Sequence, residues 1–384
     1  MVRTQEESRT VSNISENAVV RLDHVSKNFG PVRAVSDSCL EVPRGEIVTL
    51  LGPSGCGKTT TLRMVIGLER ASEGEVHYLG KVVDSPRRHV FVPAHKRNMG
   101  MVFQSYAIWP HMTVFENVAY PLRIRRVSGA DIRRRVGSML ELVGLSGYEE
   151  RPATMLSGGQ MQRVAVARSL VFEPDILLLD EPFSNLDAKL REQMRAEIKL
   201  LQRRLGATIL FVTHDQVEAL SLSDRLVVMH QGRIEQEGSP VELYRNPKTE
   251  AVRDFLGRTV MLAGFILERE DSGMVTVRLH GENGPVVRGK LQSDGGVASG
   301  SPCAVAVRPE QTYVVPEADG PVEELNNVSA ILSALLFIGD KYEARVELPW
   351  GESVLLYLPL DTQWHEGQRI VIKLDPNGLQ VWPT

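Results

Sequence analysis

The sequence predicts an α/β domain with a helical insertion, followed by an all-β domain of the OB-like barrel type. Three observations lead to this prediction. Up to about residue 258, short apolar runs typical of buried strands alternate with helical patterns. Between residues 105 and 171 the strand pattern stops and helical patterns remain. From residue 259 to 384, short strands are separated by glycine and proline turns.

The α/β pattern of the first domain depends on strands that are followed closely by helices. The runs at residues 47–51, 176–179 and 208–212 are apolar throughout, as expected of strands covered on both faces. Helices are predicted over residues 59–68 and 187–205. Such alternation predicts a mostly parallel sheet with helices on both sides, in a domain over residues 18–258.

The helical insertion is expected at about residues 105–171. Its helices are predicted over residues 113–126, 130–143 and 158–171. Arginines recur between residues 123 and 135, and we interpret them as a solvated helical face, with contact to lipid as the open alternative. The β-domain, residues 259–384, fits one or two small barrels, with strands predicted at residues 275–279, 304–307, 343–348 and 354–358.

The composition is that of a globular protein, with 42% hydrophobic and 24% charged residues. Because 44 Lys and Arg face 48 Asp and Glu, no overall basic field attracts nucleic acid, and no nucleic-acid partner is expected. The three widely spaced cysteines form neither a disulfide framework nor a metal cluster, which is typical of a reducing compartment. Residues 1–17 lack the apolar segment of a secretory signal and are expected to be a disordered tail.

A phosphate-binding loop is predicted at residues 52–59, GPSGCGKT, directly after a strand and before a helix. In such loops, backbone N–H groups and the helix N-terminus surround the phosphates of a nucleotide such as ATP. Lys58 is expected to reach the β- and γ-phosphates, and the Thr59 hydroxyl to bind Mg²⁺. The nucleotide-binding residues predicted here are Gly52, Ser54, Gly55, Cys56, Gly57, Lys58, Thr59 and Thr60.

Two carboxylates, Asp180 and Glu181, end the apolar run at residues 176–179. Alone, such a pair usually marks a strand that meets solvent. Together with a phosphate-binding loop, it predicts that Asp180 helps to hold Mg²⁺ and that Glu181 accepts a proton from the attacking water.

A second helix N-terminus suited to an anion is predicted at the segment LSGGQ, residues 156–160. Its candidate residues are Ser157, Gly158, Gly159 and Gln160. The alternative is that Ser157 only caps the helix that follows.

The order GPSGCGKTT, Gln104, LSGGQ, ILLLDE, SNLD and His214 makes residues 18–245 resemble the ATP-binding subunits of ABC transporters. In that family the LSGGQ segment closes over ATP held by a second subunit. The resemblance therefore implies a homodimer with two shared ATP sites, and it explains why one chain has two anion sites.

The resemblance implies roles for further residues. Phe29 matches the aromatic that stacks on adenine, and Gln104 the glutamine that touches Mg²⁺ and the attacking water. His214 matches the histidine that contacts the γ-phosphate, and Asp187 an acid that meets the opposite subunit. The alternatives are a core phenylalanine, a turn-capping glutamine, a structural histidine and a helix N-cap.

The segment AVRPE, residues 306–310, resembles the C-terminal domain of importer ATPases for maltose, glycerol phosphate, polyamines and ferric iron. This implies two membrane-spanning permease subunits, an extracytoplasmic solute-binding protein acting indirectly, and a peripheral position on the cytoplasmic face of the inner membrane. The competing class is a soluble ABC ATPase without a transport role. The run SYAIWPHMTVFENVAYPL favours polyamine or ferric iron as cargo, with sugar or glycerol phosphate as the alternative.

The β-domain is expected to regulate the ATPase and to stabilise the dimer, with a passive dimer clamp as the alternative. Arg308 and Glu310 are expected near its sensing or contact surface. Exposed aromatics in the run after Gln104 are typical of a groove for a partner helix, and the resemblance implies a helix of the membrane subunit there.

Overall fold

The computed structural model describes residues 17–292, 297–317 and 324–384. The predicted tail, residues 1–17, lies outside the described residues except for Asn17. The chain divides into two compact units, Met1–Leu243 and Tyr244–Thr384. This division comes earlier than the expected boundary near residue 258, and it assigns the last short helix before the β-domain to the second unit.

The first unit contains two sheets and most of the helices. Its strands are β1 (Ala18–Phe29), β2 (Val32–Pro43), β3 (Ile47–Leu51), β4 (Glu73–Tyr78), β5 (Lys81–Ser85), β6 (Val90–Phe91), β7 (Met99–Val102), β8 (Ile176–Asp180), β9 (Ile209–Thr213), β10 (Arg225–His230) and β11 (Arg233–Gly238). The α-helices of the described residues are α1 (Lys58–Ile66), α2 (Val114–Ile124), α3 (Gly129–Leu142), α4 (Gly158–Leu170), α5 (Ala188–Leu205), α6 (Gln216–Leu222), α7 (Pro240–Arg245) and α8 (Glu250–Phe255).

The central sheet has the strand order β11-β10-β3-β9-β8-β7, and its neighbouring strands are parallel except for the pair β10 and β11. Strands β3, β8 and β9 are buried at every residue, which confirms the prediction made from their apolar runs. Because the carboxyl ends of parallel strands meet at one edge, the segments that follow β3, β7, β8 and β9 converge there.

The second sheet of this unit was not predicted, since the sequence pattern indicated one mostly parallel sheet. Its order is β2-β1-β4-β5-β6, and its strands pair antiparallel. Only Gly30 and Pro31 separate β1 from β2. A connection this short joins antiparallel neighbours, since parallel strands need a crossover of a dozen or more residues.

Helices α2, α3 and α4 occur where the helical insertion is predicted and share an apolar core. The arginines between residues 123 and 135 lie on its surface. Arg125 packs 3.8 Å from the Phe172 ring centre, and Arg134 pairs with Asp131 at 3.1 Å. These contacts agree with the interpretation of a solvated helical face.

The second unit is all-β after α8. It contains a closed barrel with the strand order β12-β13-β14-β21-β15 and a five-stranded sheet with the order β16-β20-β17-β18-β19. Side chains from both form one hydrophobic core. The strands are β12 (Val260–Arg269), β13 (Met274–Leu279), β14 (Val286–Leu291), β15 (Pro302–Val307), β16 (Thr312–Pro316), β17 (Asn327–Phe337), β18 (Tyr342–Glu347), β19 (Ser353–Leu358), β20 (Arg369–Leu374) and β21 (Gln380–Pro383).

Arg308 is buried, so it does not itself form the expected sensing or contact surface. Its guanidinium donates to Gly257 O at 2.9 Å, to Thr259 Oγ1 at 2.6 Å and to Arg253 O at 2.9 Å, and the side chain is buried. Burial lowers the pKa of Arg308 to about 10, so it stays charged at neutral pH. Arg308 thus fixes the chain after α8 to the barrel, while Glu310 is exposed and accepts a hydrogen bond from Tyr244.

Candidate functional site

The phosphate-binding loop lies between β3 and α1, as predicted. Gly57 is the N-cap of α1, with φ of 105° and no side-chain cap. A Cβ atom at Gly57 would lie 2.5 Å from Ala34 O, so glycine is required for both its conformation and its space. The uncapped N–H groups at the start of α1, including that of Thr60, can therefore donate to an anion.

Lys58 is held inside this loop. Its ammonium donates to Gly52 O at 2.7 Å and to Pro53 O at 3.0 Å, and the residue is buried. Cys56 is also buried, and burial raises the pKa of its thiol, so it stays protonated at neutral pH. Ser54 and Gly55 form the exposed tip of the loop. The loop therefore holds a buried cation next to the uncapped backbone amides at the start of α1.

Thr59 and Asp180 meet although they are far apart in the sequence. The Thr59 hydroxyl donates to Asp180 Oδ1 at 2.9 Å. Burial raises the pKa of Asp180, and the hydrogen bond from Thr59 opposes that shift. Hydroxyl and carboxylate oxygens are the hard ligands that Mg²⁺ prefers, so this pair fits the ion.

Glu181 and His214 also meet, at the ends of the neighbouring strands β8 and β9. Glu181 Oε2 lies 3.1 Å from His214 Nδ1. Glu181 has a φ of 46°, a left-handed conformation that costs on the order of 1–3 kcal/mol in a residue other than glycine. Its N–H still donates to Val212 O at 2.9 Å, so the chain turns away from the sheet directly after this bond.

A set of contacts behind His214 was not predicted from the sequence. Thr213 Oγ1 donates to the buried Glu218 at 2.6 Å, and Arg191 in α5 donates to Asp215 at 3.2 Å. Burial raises the pKa of Glu218. The polar residue before a helical pattern could have indicated Asp215 as an N-cap. The approach of Arg191 to Asp215 depends on tertiary packing.

Gln104 is linked to this edge of the sheet through its backbone. Asn185 Nδ2 donates to Gln104 O at 2.9 Å, and Ser184 Oγ donates to Glu181 O at 3.0 Å. The segments after β7 and β8 are thereby tied together, and the Gln104 side chain is exposed beside them.

The LSGGQ residues lie at another helix N-terminus, in the helical insertion. Ser157 Oγ accepts from Gln160 N at 3.4 Å, and Gln160 Oε1 accepts from Ser157 N at 2.9 Å. This reciprocal pair is a capping box, so the N-cap interpretation of Ser157 is confirmed. Gly158 and Gly159 begin the helix, and a Cβ at Gly159 would lie 2.9 Å from Leu190 Cδ1.

The contacts and exposure of Asp187 and Phe29 decide between some of their alternative roles. Asp187 Oδ1 accepts from Leu190 N at 2.9 Å, so its N-cap role is confirmed, while its contact with another subunit stays a prediction. Phe29 is 46% exposed at the end of β1, which excludes the alternative of a core residue. The Lys27 ammonium lies 4.7 Å from the ring centre, and an exposed ring can also stack on a flat ligand.

The comparisons with known proteins agree with these two units. Residues 35–184 match the family model for ABC transporters, and residues 305–382 match that for the TOBE domain. The chain is 39% identical over 364 residues to a spermidine/putrescine import ATP-binding protein of Desulfitobacterium hafniense, covering 94% of this chain and 97% of that protein. The chain belongs to the ATP-binding subunits of ABC importers.

Other relatives of this importer subunit differ in the cargo that their names give. The Rubrobacter xylanophilus spermidine/putrescine import ATP-binding protein is 43% identical and covers 90% of this chain and 87% of its own length. The Thermococcus litoralis trehalose/maltose import ATP-binding protein is 52% identical, over 64% of this chain and 66% of its own length. Among solved structures, cbiO1 of Clostridium perfringens, part of the transporter complex cbiONQ, matches with a TM-score of 0.55 and 28% identity over 59% of this chain and 91% of that one.

As an importer ATP-binding subunit, this protein hydrolyses ATP and works with membrane permease subunits. Of the helices in the described ranges, none combines the length and apolar character that crossing a bilayer requires.

Proposed function

We propose that this subunit drives the import of polyamines such as spermidine and putrescine from a peripheral position on the cytoplasmic face of the membrane. The coverage of the relatives supports this cargo. The polyamine-named relatives from Desulfitobacterium hafniense and Rubrobacter xylanophilus align over 94% and 90% of this chain. The trehalose/maltose relative aligns over 64% but at 52% identity, which favours sugar as the second candidate.

Hydrolysis is assigned to the edge of the central sheet. Glu181 takes a proton from water, whose oxygen attacks the γ-phosphorus while the bond to the β–γ bridging oxygen breaks and ADP leaves. The 3.1 Å contact between Glu181 and His214 supports a role for both residues in hydrolysis. In this role His214 holds the γ-phosphate and orients Glu181. Lys58 offsets phosphate charge.

Thr59, Asp180 and Gln104 are proposed to hold Mg²⁺. The ion supplies charge neutralisation on the β- and γ-phosphates when it is bound. The 2.9 Å bond between Thr59 and Asp180 supports this assignment because it already brings two oxygen ligands together.

A homodimer is proposed to complete each site. Ser157, Gly158, Gly159 and Gln160 would close on ATP held by the other subunit, where the start of α4 offers backbone N–H groups to the γ-phosphate. The second unit is proposed to stabilise the dimer and to regulate it, and an extracytoplasmic solute-binding protein would deliver cargo to the permease pair.

The aromatic turn at residues 106–109 is proposed as the contact with a permease helix. Trp109 is half-buried and its ring centre lies 4.5 Å from that of Tyr120. Tyr106, expected to be exposed, is instead buried, so fewer aromatics are exposed here than the sequence indicates. Asn117 fixes Trp109 by accepting from its N–H at 3.0 Å and donating to its carbonyl at 3.2 Å.

Arg168 in α4 holds this turn in shape. Its guanidinium donates to Ala107 O at 2.7 Å and to Tyr106 O at 2.8 Å and lies 4.6 Å from the Trp109 ring centre. Tyr106 and Ala107 have φ of 62° and 47°, a left-handed pair that needs such support. A planar guanidinium can bond both carbonyls at once, whereas an ammonium presents a point charge.

Arg168→Lys is therefore expected to weaken binding to the permease several-fold, while ATP binding by the isolated subunit stays unchanged. The loss of a charge-assisted bond should also lower the free energy of unfolding by about 1.5–3 kcal/mol. Affinity capture of the permease from detergent extract measures the first effect and urea unfolding the second. The matched control is Arg123→Lys, which lies exposed on α2. Equal capture of both variants would contradict a positioning role.

Uptake of labelled compounds tests the proposed cargo. Deletion of the gene in its source should abolish spermidine and putrescine uptake, and re-expression of the wild type should restore it, whereas Glu181→Gln should not. If the deletion abolished trehalose or ferric-iron uptake and left polyamine uptake intact, the proposed polyamine cargo would be wrong and the lost compound would be the cargo. If nucleic acid stimulated the ATPase activity and the chain captured no permease, the result would favour a soluble ABC ATPase without a transport role.

A further inference from the structure

A cluster of metal-ligating side chains lies outside the ATP site, on the antiparallel sheet of the first unit. One ligand atom each of Asp23, His24 and Cys39 lies within 4.8 Å of the others. His24 and Cys39 are exposed and Asp23 is half-buried. The spacing of the cysteines alone predicted no metal cluster, because the other ligands come from a neighbouring strand.

A β-bulge creates this cluster. Leu22 pairs with Leu40 and Val25 with Ser38, so two residues of β1, Asp23 and His24, oppose the single residue Cys39 of β2. In a regular strand, consecutive side chains point to opposite faces of the sheet. The bulge re-aims them, and His24 adopts a left-handed φ of 50°. Asp23 and His24 can therefore both reach the Cys39 thiol.

Asp37 orients the imidazole of His24. Its Oδ1 lies 2.8 Å from His24 Nδ1, which leaves Nε2 for a ligand. A histidine that binds a metal through one nitrogen commonly donates its other N–H to a carboxylate, which fixes the ring and raises its basicity. Asp37 also has a left-handed φ, of 51°, so two strained residues face each other here.

The remaining contacts leave the ligand atoms accessible. The His24 backbone N–H donates to Cys39 Sγ at 3.4 Å, which places the sulfur beside the histidine. Arg21 forms a long ion pair with Asp23 Oδ2, at 3.7 Å, and the closer hydrogen-bond range is not reached. Metal–ligand bonds of about 2.0–2.3 Å require ligand atoms about 3.3–3.8 Å apart, and exposed side chains can close that gap by small rotations.

We propose that the Asp23 carboxylate, the His24 imidazole and Cys39 Sγ bind one divalent cation of the zinc class, with Asp37 as the carboxylate that orients the histidine. Sulfur and imidazole ligands select Zn²⁺ or Co²⁺ over Mg²⁺, so this site is chemically distinct from the oxygen pair of Thr59 and Asp180. Three protein ligands leave a fourth position to water. The bound ion would link β1, the strand that ends at Phe29, to β2. It would therefore restrain the movement of these two strands relative to each other.

Titration of tag-free, nucleotide-free full-length protein with Zn²⁺ by calorimetry, and with Co²⁺ by absorption, tests the site. One equivalent per chain is expected, with a sulfur-to-cobalt charge-transfer band. Cys39→Ser should remove the band, and Cys39→Ser and His24→Gln should each weaken Zn²⁺ binding at least about 10-fold. Asp37→Asn should weaken it about 10-fold through the lost carboxylate.

Cys303→Ser is the matched control, because that thiol is buried in the second unit. Circular dichroism and ATP binding show whether each variant is folded, and both should be unchanged because no residue of the cluster belongs to the phosphate-binding loop. Absence of saturable Zn²⁺ binding to the wild type would overturn the proposal. It would also fail if folded Cys39→Ser and His24→Gln bound Zn²⁺ as tightly as the wild type, or if the cobalt band were lost in Cys303→Ser and kept in Cys39→Ser.

Discussion

Glu181→Gln is expected to lower ATP turnover by about 10²–10⁴-fold, the range that a positioned general base contributes. Glutamine has nearly the same shape but cannot accept the proton of the attacking water. Its amide can still face His214, which lies 3.1 Å from the carboxylate in the wild type. ATP binding should therefore persist, and the bound, closed dimer should accumulate.

Phosphate release measures turnover, and fluorescent-nucleotide titration with size-exclusion chromatography measures binding and dimerisation. Glu192→Gln is the matched control, because Glu192 is an exposed acid of α5. Turnover of Glu181→Gln within a factor of a few of the wild type would exclude Glu181 as the base. Failure to bind ATP would show instead that the substitution disturbs the phosphate-binding loop.

Arg308→Met is expected to lower the free energy of unfolding of the second unit by about 3 kcal/mol or more. The substitution leaves Gly257 O, Thr259 Oγ1 and Arg253 O without the buried donor that now serves them. An unsatisfied buried polar group costs about 1–3 kcal/mol, and water entering the gap recovers part of this. The segment after α8 should then detach from the barrel, and protease should cut it.

Urea unfolding and limited proteolysis with mass mapping measure these effects. Arg345→Met provides the comparison, since Arg345 is an exposed residue of β18 in the same unit. If the two variants were equally stable and equally resistant to protease, Arg308 would not hold this segment. ATP turnover by the isolated subunit is not expected to change in either variant.

The sequence predicts the features that depend on local pattern. The apolar runs of β3, β8 and β9 and the phosphate-binding loop occur where expected, because a buried strand and a phosphate loop are each encoded within a few consecutive residues. The helix N-caps at Ser157 and Asp187 follow the same local chemistry.

Features that depend on distant residues escaped prediction. The antiparallel sheet, the burial of Arg308 and the earlier division between the units arise from packing of segments far apart in the chain. The same holds for the pairing of Arg168 with Tyr106 and for the meeting of His24 with Cys39. No pattern within one segment identifies such partners.

The two ends of α4 serve different surfaces, and this has a mechanical consequence. The helix begins at the LSGGQ residues and ends at Leu170, and its 13 residues span about 20 Å. Ser157 precedes its first turn, while Arg168, in its last turn, grips the carbonyls beside Trp109. Because a continuous helix resists bending, force applied at the LSGGQ end, where ATP is proposed to bind, would be transmitted to the aromatic turn within one stiff body. The distance over which ATP closure would act on a membrane partner in the proposed assembly is thus the length of a single helix.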